Sequence, residues 1–146
     1  MVDVGTKAET RRRAVAEGFL YSRPEVVDLV RQGSAPKGDV LAVARVAAIM
    51  AAKRCSDWIP LAHPLPLSHV SVDIAVQEDR LKVTAVTETV GRTGVEMEAL
   101  TAVSAGLLTL YDMLKAQDRG MVMSGIQLVE KSGGRSGDYR RQGGTA

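Results

Sequence analysis

Four charged residues on an otherwise apolar segment are the part of this sequence best suited to chemistry. Between Gly94 and Lys115, Glu96 and Glu98 stand near the start, and Asp112 stands three residues before Lys115. Carboxylates and an amine in one site can divide the acid and base steps of a proton-transfer reaction. Because buried charge is costly unless it is paired or used, the presence of these residues in an apolar segment indicates a site.

The same four residues also have a purely structural interpretation. Glu96 and Glu98 suit the positive end of a helix dipole. Asp112 and Lys115 could form a surface ion pair, which typically contributes about 0.3–0.5 kcal/mol. The segment alone does not decide between the two interpretations, since paired charges mark function only in a fraction of cases.

Apolar spacing predicts one long helix over 94–115. The stripe that repeats every three to four residues consists of Leu100, Val103, Leu107, Tyr111 and Leu114. On a continuous helix, the 14 residues from Glu98 to Asp112 correspond to about 21 Å along the axis. That separation is too large for one small reacting centre. We therefore predict a site that combines Asp112 and Lys115 of one subunit with Glu96 and Glu98 of another.

The remaining pattern predicts an α+β fold. Expected elements are a strand over 12–21, helices over 25–32 and 39–54, strands over 70–76 and 81–87, and a strand over 121–130. Ser22 and Asp39 are the predicted caps of the first two helices. This order is that of a ferredoxin-like split β-α-β fold, with an antiparallel sheet and helices packed on one face.

Length and composition limit the function classes. With 146 residues, we expect a single domain over 1–146, with 1–10 and 139–146 flexible and 143–146 a frayed tail. Oligomerisation is expected to cover the remaining apolar surface. One cysteine, Cys55, excludes an internal disulfide, and one Cys with two His argues against a structural zinc site. We predict no metal ligands.

Charge and hydropathy suggest a small anionic ligand. The longest apolar run is too short to cross a bilayer and no signal-peptide pattern is present, so we expect a cytoplasmic protein without a membrane partner. The net charge is only +2, and aromatic residues make up 3% of the chain. A nucleic-acid partner is therefore not expected, because such proteins usually combine a larger basic excess with stacking aromatics.

Each further candidate residue has an ordinary structural explanation besides a functional one. His63 lies in a segment, 59–67, that contains three prolines, and restricted backbone freedom would help to aim its ring; it could equally be an ordinary loop histidine. Lys37 precedes a helix start and could hold phosphate there. Lys53 suits a helix C-terminus. Lys131 and Arg135, separated by glycines, could contact an anion or belong to a flexible tail.

Several sequence blocks together resemble one family, the cyclic pyranopterin monophosphate synthases of molybdenum cofactor biosynthesis. The blocks are Lys37–Val40, Ala51–Arg54, Ile59–Leu65, Gly94–Thr101, Tyr111–Lys115 and Lys131–Asp138, in a match that runs from Met1 to Asp138. The resemblance implies a ferredoxin-like subunit in a homohexamer, assembled as a trimer of dimers, with active sites at subunit interfaces.

The implied reaction is a lyase reaction. Its substrate is 3′,8-cyclo-7,8-dihydro-GTP, handed over from an upstream radical enzyme, and its products are cyclic pyranopterin monophosphate and pyrophosphate. The resemblance implies that Asp112 is the catalytic acid/base and Lys115 its partner. The implied substrate-binding residues are Leu61, Ala62, His63, Glu96, Met97, Glu98, Lys37, Lys53 and Lys131. No cofactor is required, and a magnesium ion on the triphosphate is compatible with the reaction.

Two departures from the family pattern stand out. Ala62 occupies the position before His63 where the family usually has Cys, and Arg135 replaces the more usual lysine. The competing hypothesis is a non-enzymatic domain that holds nucleotide or RNA through its basic patches. That hypothesis predicts a dispensable Asp112 and binding that weakens steeply with salt.

Overall fold

The computed structural model describes residues 1–142, which form one five-stranded sheet and four helices. The strands are β1 (Thr10–Tyr21), β2 (His69–Val76), β3 (Arg80–Gly91), β4 (Val122–Ser132) and β5 (Tyr139–Arg140). The helices are α1 (Pro24–Arg31), α2 (Val40–Lys53), α3 (Cys55–Trp58) and α4 (Glu96–Leu114). The predicted order of strand, helices, two strands, helix and strand is confirmed.

The sheet has the order β2-β3-β1-β4-β5, and every neighbouring pair is antiparallel. α4 packs across β1 and β3, while α2 packs on α4 and β2. Both long helices therefore lie on the same face of the sheet. This is the α+β, ferredoxin-like arrangement that the sequence predicted, with β5 added at one edge.

The two predicted helix caps have different outcomes. Asp39 caps α2 as expected, since its carboxylate accepts a hydrogen bond from the Ala42 amide at 3.1 Å. Ser22 does not cap α1: the residue before the helix is Arg23, without a side-chain cap. Instead, the Ser22 hydroxyl donates to the Asp118 carboxylate at 3.3 Å. The prediction for Ser22 was wrong because a carboxylate from a distant loop provides a competing acceptor.

The core lies between α4 and the central strands. Alternation along β3 places Leu81, Val83 and Ala85 on the helix face, where all three are fully buried. Leu107 and Leu114 of the predicted stripe are also fully buried, whereas Leu100 and Tyr111 are only partly buried. The helix begins two residues later and ends one residue earlier than predicted.

The face of the sheet that lies away from the helices is partly covered by side chains. Glu17 points away from the helices, yet only 1% of it is exposed. Its carboxylate accepts from Gln127 at 2.6 Å and lies 3.6 Å from the Lys82 ammonium group. The Arg80 guanidinium lies 4.8 Å from the centre of the Phe19 ring. Long side chains on this face thus cover the middle of β1.

Two short elements were not predicted. α3 follows α2 directly, in a segment too short for helical periodicity to be recognised. β5 pairs with β4 through Lys131 and Tyr139, so the chain near its carboxyl end returns to the sheet edge. The expected frayed tail over 143–146 lies outside the described residues. No helix within residues 1–142 has both the length and the apolar character needed to cross a bilayer.

Close contact between β1 and α4 provides a test of the packing. A Cβ atom on Gly18 would lie 2.8 Å from both Leu107 Cδ1 and Val103 Cγ1. We expect Gly18→Ala to lower the free energy of unfolding by about 1–3 kcal/mol, because the packed side chains of Leu107 and Val103 must move to make room for the methyl group. Urea denaturation would measure the change.

The matched control is Gly91→Ala at the end of β3, where the nearest atom to an added Cβ lies 3.7 Å away. We expect a change of at most about 0.5 kcal/mol in this variant. Equal effects of the two substitutions would contradict the proposed contact between Gly18 and α4.

Candidate functional site

The predicted site residues fall mainly at the two ends of α4. At the carboxyl end, Lys115 Nζ donates to Asp112 Oδ1 at 2.9 Å. Lys37, just before α2, donates to the Asp112 backbone carbonyl at 3.2 Å and lies 3.9 Å from its Oδ2. We call Lys37, Asp112 and Lys115 the helix-end cluster.

The surroundings of Asp112 favour the ionised form of its carboxyl group. The hydrogen bond from Lys115, its positive charge and that of Lys37 hold the pKa of Asp112 below its ordinary value. The side chain is 61% exposed in the single chain. Asp112 therefore lies beside the packed stripe of α4 and not within it.

A groove of two adjoining cavities lies at the amino end of α4. The cavities have volumes of about 670 and 380 Å³, and they share Lys7, Thr93, Gly94 and Glu96. The larger one, which we call the basic cavity, is also lined by Arg12, Lys131, Gly133, Gly134 and Arg135. The smaller one, which we call the apolar cavity, is also lined by Met1, Val2, Val4, Leu61, Ala62, His63, Leu65, Met97 and Glu98.

The basic cavity combines cations with a tightly turned glycine segment. Lys131 Nζ donates to Ser136 Oγ at 2.7 Å, which draws the segment after β4 back over the strand end. Arg12 is 9% exposed, and its Nε donates to the Gly91 carbonyl at 3.2 Å. Gly134 has a φ of +85°, and an added Cβ would lie 1.8 Å from Arg12 Nη1. Cationic side chains and close backbone together form an environment suited to a phosphate group.

The apolar cavity places a buried carboxyl beside the proline-rich segment. His63 and Ala62 come from this segment, which contains no regular helix or strand, as predicted. Glu98, in the first turn of α4, is 4% exposed. Burial, together with the nearby negative charge of Glu96, raises the pKa of Glu98. Hydrogen bonds from its own backbone amide and from the Cys55 thiol oppose that rise.

The two ends of α4 thus provide carboxyls with opposite tendencies. Asp112 loses its proton more readily than an ordinary aspartate, and Glu98 retains its proton more readily than an ordinary glutamate. Such a pair can divide acid and base roles. Because α4 is continuous from Glu96 to Leu114, about 21 Å of helix separates the two residues. One chain does not bring them together.

The structure groups most, but not all, of the predicted binding residues. Leu61, Ala62, His63, Glu96, Met97 and Glu98 line the apolar cavity, and Lys131 lines the basic cavity. Lys37 lies with Asp112 instead. Lys53 lines neither cavity; it is exposed at the end of α2. That end approaches the start of α4, since Cys55 contacts Thr101.

Sequence reasoning missed Lys7 and Arg12. Both line the basic cavity, and Lys7 lines the apolar one as well. Arg12 alternates with Ala14 and Ala16 on the helix face of β1. A cation on the core side of a strand was therefore a readable signal in the sequence. Lys7 had no such signal, because it lies outside any periodic element.

The glycine segment gives a test of the basic cavity. We expect Gly134→Ala to weaken binding of inorganic pyrophosphate about tenfold or more, because the new methyl group displaces the Arg12 guanidinium and removes one charged contact. Isothermal titration calorimetry would measure the affinity.

Gly137→Ala is the matched control. Gly137 has a similar φ of +73°, but an added Cβ there meets nothing within 4 Å. It therefore carries the same kind of backbone strain without the clash. If both variants weakened pyrophosphate binding equally, the role assigned to Arg12 would be wrong.

Comparison with known proteins identifies a family and close relatives of this chain. Residues 1–134 match the model of the MoaC family. The chain is 62% identical to the cyclic pyranopterin monophosphate synthase of Thermomicrobium roseum over 144 residues, which covers 97% of this chain and 87% of that protein. It is 59% identical over 140 residues to the protein of the same name from Novosphingobium aromaticivorans, covering 96% of this chain and 89% of that one. The corresponding protein of Roseiflexus sp. is 58% identical over 141 residues, covering 95% and 89%.

Proposed function

Because this chain belongs to the MoaC family, we propose that it converts 3′,8-cyclo-7,8-dihydro-GTP into cyclic pyranopterin monophosphate and pyrophosphate. The protein is an enzyme, and its named relatives act in molybdenum cofactor biosynthesis. The observation that carries the proposal is the joined groove, in which a cation-lined cavity adjoins one with a histidine and a buried carboxyl. Both features fit a triphosphate attached to a ring system.

The charge distribution supports one orientation of the substrate. The triphosphate would occupy the basic cavity, where Lys7, Arg12, Lys131 and Arg135 provide positive charge. The ring system would occupy the apolar cavity, between Met97 and the proline-rich segment. Positive charge around the phosphates favours the departure of pyrophosphate, because negative charge accumulates on that leaving group as the cyclic phosphate closes.

Acid and base roles follow from the two carboxyls. Ring opening, pterin closure and phosphate cyclisation involve proton transfers without a change in redox state. Ionised Asp112 suits the removal of a proton, and Lys115 at 2.9 Å suits its return. Glu98, whose pKa is raised by burial, suits the donation of a proton to a ring nitrogen in the apolar cavity.

The proposed site requires two subunits. The helix-end cluster of one chain would complete the groove of another, since one chain keeps them about 21 Å apart. Large apolar side chains exposed along α2 and α4 support such an assembly; they include Val43, Val46, Met50 and Leu108. We propose a homohexamer built as a trimer of dimers.

The remaining parts of the proposal concern the setting of the reaction. The chemistry needs no redox cofactor, and a magnesium ion would enter with the triphosphate rather than reside on the protein. The substrate would be handed over by the upstream radical enzyme that produces it. We place the enzyme in the cytoplasm, with neither nucleic acid nor membrane as a partner.

Turnover of the cyclised dihydro-GTP intermediate is the direct test. We expect the wild-type protein to release pterin product and pyrophosphate, and Asp112→Asn to lose activity by about 100-fold or more because its base is removed. Asp28→Asn changes an exposed carboxylate on α1 that pairs with Arg31 and should leave turnover unchanged. An inactive wild type that still binds pyrophosphate would contradict the proposed reaction.

Mixing variants tests the shared site. Hexamers assembled from equal amounts of Asp112→Asn and Lys131→Ala chains should recover about a quarter of wild-type activity, because each intact site needs one undamaged half from each chain. Mixed hexamers of Asp112→Asn and Lys115→Ala should remain inactive, because both changes damage the same half. Absence of recovery in the first mixture would place the whole site within one subunit.

A further inference from the structure

The chain that follows α4 is held against the start of α1 by one aspartate. The side chain of Asp118 is 14% exposed, and its Oδ2 accepts hydrogen bonds at 3.3 Å from the Ser22 hydroxyl and from the Arg23 backbone amide. Its Oδ1 accepts from the Gly120 amide at 2.9 Å. The Arg23 guanidinium lies 3.8 Å from Oδ2 and also donates to the Gln117 carbonyl. We call these contacts of Asp118 and Arg23 the loop clasp.

α4 has no stop signal of its own at its carboxyl end. Helices commonly end on a glycine or asparagine in the left-handed conformation, which satisfies the last carbonyl groups. Within 115–121, all of which the structure describes, no residue has a positive φ, and Lys115 keeps right-handed helical angles, with φ −60° and ψ −27°. The Leu114 carbonyl instead accepts from the amides of Gln117 at 2.9 Å and Asp118 at 3.3 Å. The end of the helix therefore depends on where the loop clasp holds the following chain.

Lys115 is the residue most affected by that dependence. Asp112 lies within the last turn of α4, next to the buried Met113 and Leu114, and Lys37 donates to its backbone carbonyl at 3.2 Å. Lys115 comes directly after the last residue of the helix, and its ammonium group reaches Asp112 Oδ1 at 2.9 Å. Loss of the loop clasp would therefore leave Asp112 in place and allow the backbone at Lys115 to fray.

We propose that Asp118 is a positioning residue for Lys115. Through the loop clasp it fixes the end of α4 and keeps the Lys115 ammonium group on the Asp112 carboxylate. An uncharged contact acts in the same direction, because the Tyr111 hydroxyl donates to the Arg119 carbonyl at 2.8 Å and ties the same loop to the last turn of the helix. The effect on turnover rests on the proposed function, whereas the position of Lys115 does not.

A merely structural role for Asp118 makes a different prediction. A loop anchor that only stabilises the fold would raise the free energy of unfolding without affecting groups elsewhere in the folded molecule. The pKa of Asp112 separates the two roles, since the hydrogen bond from Lys115 and the positive charges of Lys115 and Lys37 lower it. Removal of the Asp118 charge alone would lower that pKa further, because a nearby negative charge disfavours ionisation. Displacement of Lys115 would raise it, so the two effects have opposite signs.

The experiment follows the Asp112 carboxyl group by NMR in the assembled protein, with 13C-labelled aspartate side chains and Asp112→Asn to assign its signal. We expect the pKa of Asp112 to rise toward its ordinary value in Asp118→Ala. The matched control is Asp28→Ala, which also removes a carboxylate paired with an arginine, Arg31 on α1, and should leave that pKa near the wild-type value. In turnover of the cyclised dihydro-GTP intermediate, Asp118→Ala should lower kcat about tenfold with little change in KM, because a displaced Lys115 returns the proton less efficiently.

The outcomes separate this inference from the proposed reaction. A pKa of Asp112 that stays unchanged or falls in Asp118→Ala would overturn the inference, as would an equal rise in Asp28→Ala. A raised pKa with unchanged kcat would overturn its catalytic part. If wild-type protein showed no turnover, the proposed reaction would fail, and the titration would still decide the position of Lys115.

A second variant covers the case in which Asp118→Ala does not fold. Tyr111→Phe removes one hydroxyl from the same loop contact without a change of charge. A rise in the pKa of Asp112 in this variant would then support the inference, and an unchanged value would overturn it.

Discussion

The packing of α4 across β1 and β3 is the constraint on which the site depends. Gly18 leaves room for Leu107 and Val103 to approach the central strand closely, and the fully buried residues of α4 hold it there along most of its length. A helix anchored in this way is a rigid spacer with a fixed length. Its two ends carry the helix-end cluster and the buried glutamate, and neither can move toward the other without disrupting the core.

Opposite environments then give the two carboxyls opposite chemistry. Asp112 is solvated and paired with lysines, so its charged form is favoured. Glu98 is buried in the first turn of α4 beside the proline-rich segment, so its pKa is raised above that of an ordinary glutamate. The difference arises from position on one helix, not from residue type. In the proposed assembly between subunits, the two carboxyls would meet with pKa values displaced in opposite directions.

The sequence predicted the fold well because hydrophobic periodicity and helix caps are local signals. Strand alternation in β2 and β3, the Asp39 cap and the long helix could all be recognised from neighbouring residues. The role of Ser22 could not be recognised from neighbouring residues, since its partner Asp118 lies 96 positions away. At the site, the proline-rich segment and the α4 residues were found from motifs, whereas Lys7, outside any periodic element, required tertiary structure. Glu98 is buried and Asp112 is exposed, and the apolar pattern of the helix did not reveal this difference.

The wall of the apolar cavity includes Met1, Val2 and Val4. The first residues of the chain therefore form part of the wall of the apolar cavity, although Met1 and Val2 keep most of their surface exposed. Any affinity tag or fusion partner joined before Met1 would emerge beside the mouth of this cavity and compete with a ligand for space. Recombinant protein intended for ligand soaking or kinetics is therefore better prepared without a tag at that end.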